Sequence, residues 1–213
     1  MAGGKQTPRQ KLIGMMYLVL MAMLALNVST EVLKSFLVVN EGIVRTNMNF
    51  EKKVESAYTL FERALAENKD KVQTYFDKAM EARRLTTEFR GELKDLRTEL
   101  ISMATRTSPE VAAEMDPRNI RRQDDKDTPS RLFISLGKGA ELREKIEVYV
   151  ANMLELIPEE ERARIVSPFD VTGPFHDAGG TKVSWEVANF SGAIIVAAIT
   201  ILNKLENDDE SRT

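Results

Sequence analysis

The chain has 213 residues and a net charge of −3, from 30 basic and 33 acidic side chains, with no cysteine and one histidine, His176. The absence of Cys excludes disulfides, thiol catalysis and Cys-ligated metals, and a single His argues against a His-built metal site or a Ser/His triad. The charges are interspersed, without the basic patch that nucleic-acid binding requires. An enzyme, a bound metal or cofactor and a nucleic-acid partner are therefore not expected.

Residues 1–11 carry Lys5, Arg9 and Lys11, and no acid precedes Glu31. Residues 12–30, LIGMMYLVLMAMLALNVST, are nineteen residues without a charge. A helix rising 1.5 Å per residue spans roughly 28 Å over that length, close to the ~30 Å hydrocarbon core of a bilayer. A cleaved signal peptide needs a shorter apolar region and a small-x-small site, and a buried helix of a soluble protein is usually shorter. Residues 12–30 are expected to be one transmembrane helix. The Lys5 and Lys11 charges, with Arg9, place residues 1–11 in the cytoplasm and residues 31–213 beyond the membrane.

Apolar residues keep helical spacing at Val32, Phe36, Val39 and Ile43. The span is therefore expected to run on into water as one helix, bending near Asn47-Met48-Asn49. Phe50 to Met103 is periodic throughout, with Phe50, Val54, Phe61, Leu65, Val72, Phe76, Phe89, Leu93, Leu96 and Leu100 every three or four residues. This is one rod or two antiparallel helices broken near Asn68-Lys69-Asp70. The rod is preferred because that tripeptide holds no strong breaker. Charged neighbours such as Glu51 and Glu55 near Lys52 and Lys53, or Asp77 and Lys78 near Glu81 and Arg84, suggest pairing along one helix.

Ser108-Pro109-Glu110 is a helix start: a capping Ser, Pro at the first position and an acid in the first turn. Residues 118–131 are charged and unpatterned, and a surface loop is expected. A helix after Gly137-Lys138-Gly139 carries Leu142, Ile146, Tyr149, Val150, Met153 and Leu156 as its stripe, with Pro158 beyond its end. The Gly- and Pro-rich residues 165–183 suggest an ordered loop with a hairpin at Asp177 to Gly180. A last helix from Trp185 to Leu205, with GAIIVAAITIL at its centre, is too short to cross a bilayer and is expected to be buried. The tail ENDDESRT follows it without a cap, as in a piece of a longer chain or a disordered terminus. The expected fold is all-α: a single transmembrane helix feeding a helical bundle.

Few motifs carry chemistry. Gly137-Lys138-Gly139 lacks the third glycine and context of a phosphate loop. Glu159-Glu160-Glu161 more simply complements a helix dipole, His176 is expected to anchor its loop, and Trp185 to sit in the core. The apolar segment is more informative. It holds no Asp, Glu, Lys or Arg at bilayer depth and so no titrating carboxylate; its polar members are Tyr17, Asn27, Ser29 and Thr30, and Gly14 permits close helix approach. Arg9, always charged, lies less than a turn outside it. It is either a snorkelling topology signal or a counter-charge for an acid on a partner's membrane helix.

The opening AGGKQTPRQKLIGMMYLVLMAMLALNVSTEVL, with GKGAELREKIEVY at 137–149 and the stretch from Trp185-Glu186 through ILNKLEND, resembles the GldM/PorM family of the type IX secretion and gliding apparatus. The resemblance implies an inner-membrane, single-pass protein with its bulk in the periplasm. It implies a homodimer whose two membrane helices sit inside a ring of GldL-type subunits, a motor driven by proton motive force, and contact with outer-membrane-associated components. It also implies that Arg9 faces an essential partner glutamate, with Tyr17 on the same polar path. A passive membrane-anchored scaffold that docks secretion components is the alternative.

Overall fold

The computed structural model describes residues 7–26, 29–162, 164–177 and 179–210. Helix α1 spans Pro8–Leu26. It is followed by α2 (Thr30–Glu67) and α3 (Lys69–Thr105), the two longest elements. The expected single helix from the span into the bundle does not form. Ser29 is extended (φ −66°, ψ 149°) and its hydroxyl accepts from the Val32 amide, so α2 has its own N-cap. Nor does the chain bend at Asn47-Met48-Asn49, because α2 continues through them and buries Asn47.

The rod between Phe50 and Met103 is also corrected. Asn68 leaves helical geometry (φ −149°, ψ 74°), and α3 runs back along α2. The Tyr58 hydroxyl donates to the Ala79 carbonyl at 2.8 Å, and Arg83 meets Glu55 at 2.7 Å. One polar, turn-tolerant Asn suffices as the break because the apolar residues of both arms, among them Val54, Leu65, Val72 and Phe76, then become half-buried in the hairpin. Glu51 and Glu55 consequently pair across helices with Arg90 and Arg83, not with Lys52 or Lys53.

Helix α4 (Pro109–Ala113) starts where the Ser108-Pro109 signal indicates, with Ser108 at the N-cap position but its side chain making no capping hydrogen bond. The segment expected to be a surface loop is instead largely ordered, with a 3₁₀ turn at Pro117–Asn119, helix α5 at Asp127–Ser130 and a π-type turn at Arg131–Ser135. Its organiser is the buried Asp125. One carboxylate oxygen accepts from the Asp127 and Thr128 amides and the other from the Thr128 hydroxyl, while its own carbonyl takes the Ile195 amide at 3.0 Å. Burial raises the Asp125 pKa, but the Thr128 hydroxyl and the Asp127 and Thr128 amides outweigh it and hold it below the usual carboxylate range. A depressed folded-state pKa adds stability above the unfolded value of about 3.9 that is lost as pH falls through the folded one. Asp125→Ala is expected to cost about 1–2 kcal/mol in urea unfolding at neutral pH, a difference that shrinks only below about pH 4.

Helix α6 (Lys138–Leu156) follows Gly137, whose φ of 76° lets the chain reverse. Gly139 brings α6 against the next elements: a Cβ there would sit 2.6 Å from the Phe133 carbonyl oxygen and from the Glu186 Cβ. Gly139→Ala should therefore destabilise by about 1–3 kcal/mol through overpacking, read as a lowered urea midpoint with unchanged slope. After the short α7 (Glu159–Arg162), β1 (Phe175–His176) and β2 (Lys182–Val183) form an antiparallel hairpin, Phe175 opposite Val183. Asp177 closes its turn by accepting from the Gly179 and Thr181 amides. His176 is exposed, so this role falls to Asp177 and not to the expected His.

The expected last helix is two. Helix α8 (Trp185–Phe190) ends before Gly192 (φ 68°), and α9 (Ile195–Glu210) begins beyond it. The break lets Trp185 and Phe190 plug one end of the core while α9 runs through it. Helices α2, α6 and α9 lie parallel and α3 runs against them, as shown by Arg97 to Asn203, Arg90 to Glu206, Thr86 to Tyr149 and Lys145 to Glu92. The core between α3, α6, α8 and α9 buries Phe89, Leu93, Leu100, Leu132, Phe133, Leu142, Ile146, Ile195, Ile199 and Leu202. Phe133 stacks on Phe190 with centroids 3.9 Å apart, and Phe169 packs edge-on against Phe89 and Tyr149, which pins the Gly/Pro loop to the bundle.

Candidate functional site

Two regions carry polar chemistry that the core does not explain. The first is α1. Thr7 and Gln10 cap each other: the Thr7 amide donates to Gln10 Oε1 at 3.1 Å, and the Gln10 amide to Thr7 Oγ1 at 3.4 Å. With Pro8 at the first helical position, TPRQ is a capping box. The box signature was present in the sequence as a Thr three residues before a Gln ahead of an apolar run. Arg9 then occupies the second helical position, where a cation opposes the helix dipole. Arg9 forms no ion pair with another described residue and, like Lys11, is exposed. Helix stability does not require a charge of this sign there.

Every described side chain from Thr7 to Ala22 is exposed, Tyr17 at 66%. Gly14 has open space where a Cβ would stand. Arg9, Gly14 and Tyr17 thus share one helix, with no part of the described bundle covering its residues 8–22. Lys5 lies outside the described residues. A helix apolar all round is made to be surrounded by lipid or by other apolar surfaces. Among the described residues, no helix is long and apolar enough to cross a membrane. The first turn of α1 is spent on Arg9, Gln10 and Lys11, and the uncharged part from Leu12 to Leu26 covers only about 22 Å.

The second region is a polar seam where α2, α3 and α9 meet. Asn203 Nδ2 donates to Asn40 Oδ1 at 2.7 Å, Asn207 Nδ2 to Asn47 Oδ1 at 2.8 Å, and Asn47 Nδ2 to the Asn203 carbonyl at 3.2 Å. Arg97 donates to Asn203 Oδ1 and lies 3.6 Å from Glu206, which also takes Arg90 at 3.1 Å. Each buried amide is partnered, as burial demands. These residues were not singled out in the sequence, although Asn40 and Asn47 stand seven apart on the apolar side of a long helix. That spacing was the available signal.

Other candidates have structural explanations. Glu159, Glu160 and Glu161 are exposed in the first turn of α7. No group of three His, Asp or Glu side chains among the described residues is placed to hold a metal. The cleft between α2 and α3 is lined by Glu51, Tyr58, Arg83, Arg90 and Lys94, and its arginines are spent on Glu55, Glu51 and Glu206.

The model of the GldM N-terminal domain matches residues 31–210, which covers α2 through α9 and leaves α1 outside. No curated protein matches the chain. A four-helix bundle with an exposed, apolar, basic-ended helix preceding it, and that match over most of its length, lead to one conclusion: the chain belongs to the GldM family, as its N-terminal domain, and is a component of type IX secretion and gliding.

Proposed function

We propose that this chain is the motor subunit that couples proton flow to secretion and gliding, acting through Arg9. The observation that carries this reading is the placement of Arg9. It is a permanent cation against the helix dipole, at the end of an exposed helix with no acid of its own. The uncharged stretch that begins at Leu12, carried by α1 and closed at the Ser29 cap of α2, is the single membrane span, the basic end is cytoplasmic, and the bundle is periplasmic. Two copies pair through their spans, close at Gly14, inside a ring of GldL-type subunits.

The proton-binding acid is on the partner, because this span has none. Ionised, that acid attracts Arg9; protonated, it releases it, and the next ionised acid along the ring pulls instead. A two-fold pair within a ring of different symmetry cannot satisfy every site together, so each protonation favours a small rotation. Tyr17, two turns along, extends the polar path. Force then passes to α2 across Ser29 and into the bundle through the asparagine seam.

A passive scaffold would need only the span and the bundle. The test is secretion by cells carrying Arg9→Ala or Arg9→Lys. Loss with Ala, with normal membrane insertion and partner binding, and sensitivity of the parent to protonophores supports the motor. Full secretion with Arg9→Ala leaves only the scaffold.

A further inference from the structure

Helix α2 differs from its neighbours in what it buries. Its only buried residues are Asn40 and Asn47, whereas α3 buries Phe89, Leu93, Leu100 and Ile101, and α6 buries Leu142, Ile146 and Tyr149. Leu33, Phe36, Leu37 and Ile43 are half-buried, and Val38 and Val39 are exposed. The first half of α2 is therefore fastened to α9 by buried side-chain amides together with apolar side chains that are only half-buried. Beyond Asn47 the partner changes, and Glu55 and Tyr58 are held by α3.

We propose that residues 30–47 of α2 form an arm held on α9 by a hydrogen-bonded latch, which opens and re-engages as force passes along α2 while the bundle core stays intact. Three features support this. Asparagine amides released from one another are taken up by water at little loss, unlike a buried Phe or Leu. Their bonds are directional, so the engaged arm has a single register, the best-attested use of buried Asn pairs. Opening leaves no charge stranded, because Arg90 and Arg97 on α3 remain with Glu206 on α9. The fulcrum is the turn after Asn47, where Glu51 reaches Arg90 at 3.5 Å. That the latch works under load rests on the motor reading above; that the arm opens does not.

The chain has no Cys, so an Asn47→Cys/Asn207→Cys pair in the full chain, expressed with its native partners, gives two unique thiols for a short, reducible bis-methanethiosulfonate linker, because amides that meet at 2.8 Å leave their Cβ atoms too far apart for a direct disulfide. Linking the two thiols should lock the arm and lower secretion about tenfold or more, with recovery when the linker is released by reduction. In the purified parent complex, amides of residues 33–47 should exchange with deuterium at least about tenfold faster than those of 89–101 and 195–202. Full secretion by the linked protein, or exchange in the arm as slow as in the core, would each overturn the latch. If Arg9→Ala secretes normally while the arm still exchanges fast, the motor reading fails and the opening arm stands.

Discussion

Arg9→Ala is expected to abolish secretion and gliding while the bundle folds as before. The side chain lies in the first turn of α1, exposed and away from the core, so its truncation removes no packing. The Thr7–Gln10 capping box and Pro8 remain, and the helix start even gains slightly from losing a cation at its positive end. On the motor reading Arg9 faces a partner carboxylate at the membrane edge, and there the effect is large. Deleting one member of a buried charge pair costs about 3–5 kcal/mol, enough to shift an equilibrium more than about a hundredfold. Arg9→Lys should retain part of the activity, since the charge survives but the bidentate fork does not. The check is export of a type IX substrate, with membrane level and partner co-purification measured in parallel. Tyr17→Phe, which removes only a hydroxyl, should have a smaller effect than Arg9→Ala.

Phe133→Ala should be the most damaging single substitution in the bundle. Phe133 is fully buried, stacks on Phe190 and lies in the π-type turn whose carbonyl packs against Gly139. Removing a buried Phe leaves a cavity, at a cost of about 3–5 kcal/mol. The ring joins the 127–135 segment to α8, so the loss should appear as a lower urea midpoint and as faster exchange around Asp125 to Leu136. Phe61→Ala, at the partly exposed hairpin end, should cost much less.

The bundle itself was legible from periodicity. The stripes of Phe89 to Leu100 and Leu142 to Ile146 became the core, and GAIIVAAITIL was buried as its length demanded. The breaks were not. Asn68, Ser29 and Gly192 each interrupt a helix without a proline, and a single polar or Gly residue decides the matter only when tertiary packing rewards a reversal. Residues 118–131 misled for a related reason: their order comes from Asp125 gathering amides locally and from Ile195, seventy residues away, and no charge pattern reveals either. Of the site, Arg9 was legible because a charge beside an apolar run stands out. The asparagine seam was not, because its members become partners only when α9 is laid beside α2.

Lipid-embedded complexes of this chain with the GldL-type partner proposed for it give the most direct test, by imaging the surroundings of Arg9 at side-chain detail. The motor reading predicts the guanidinium within about 4 Å of a partner carboxylate on at least one of the two spans in an energised state. A guanidinium surrounded only by water or lipid headgroups in every state would contradict it.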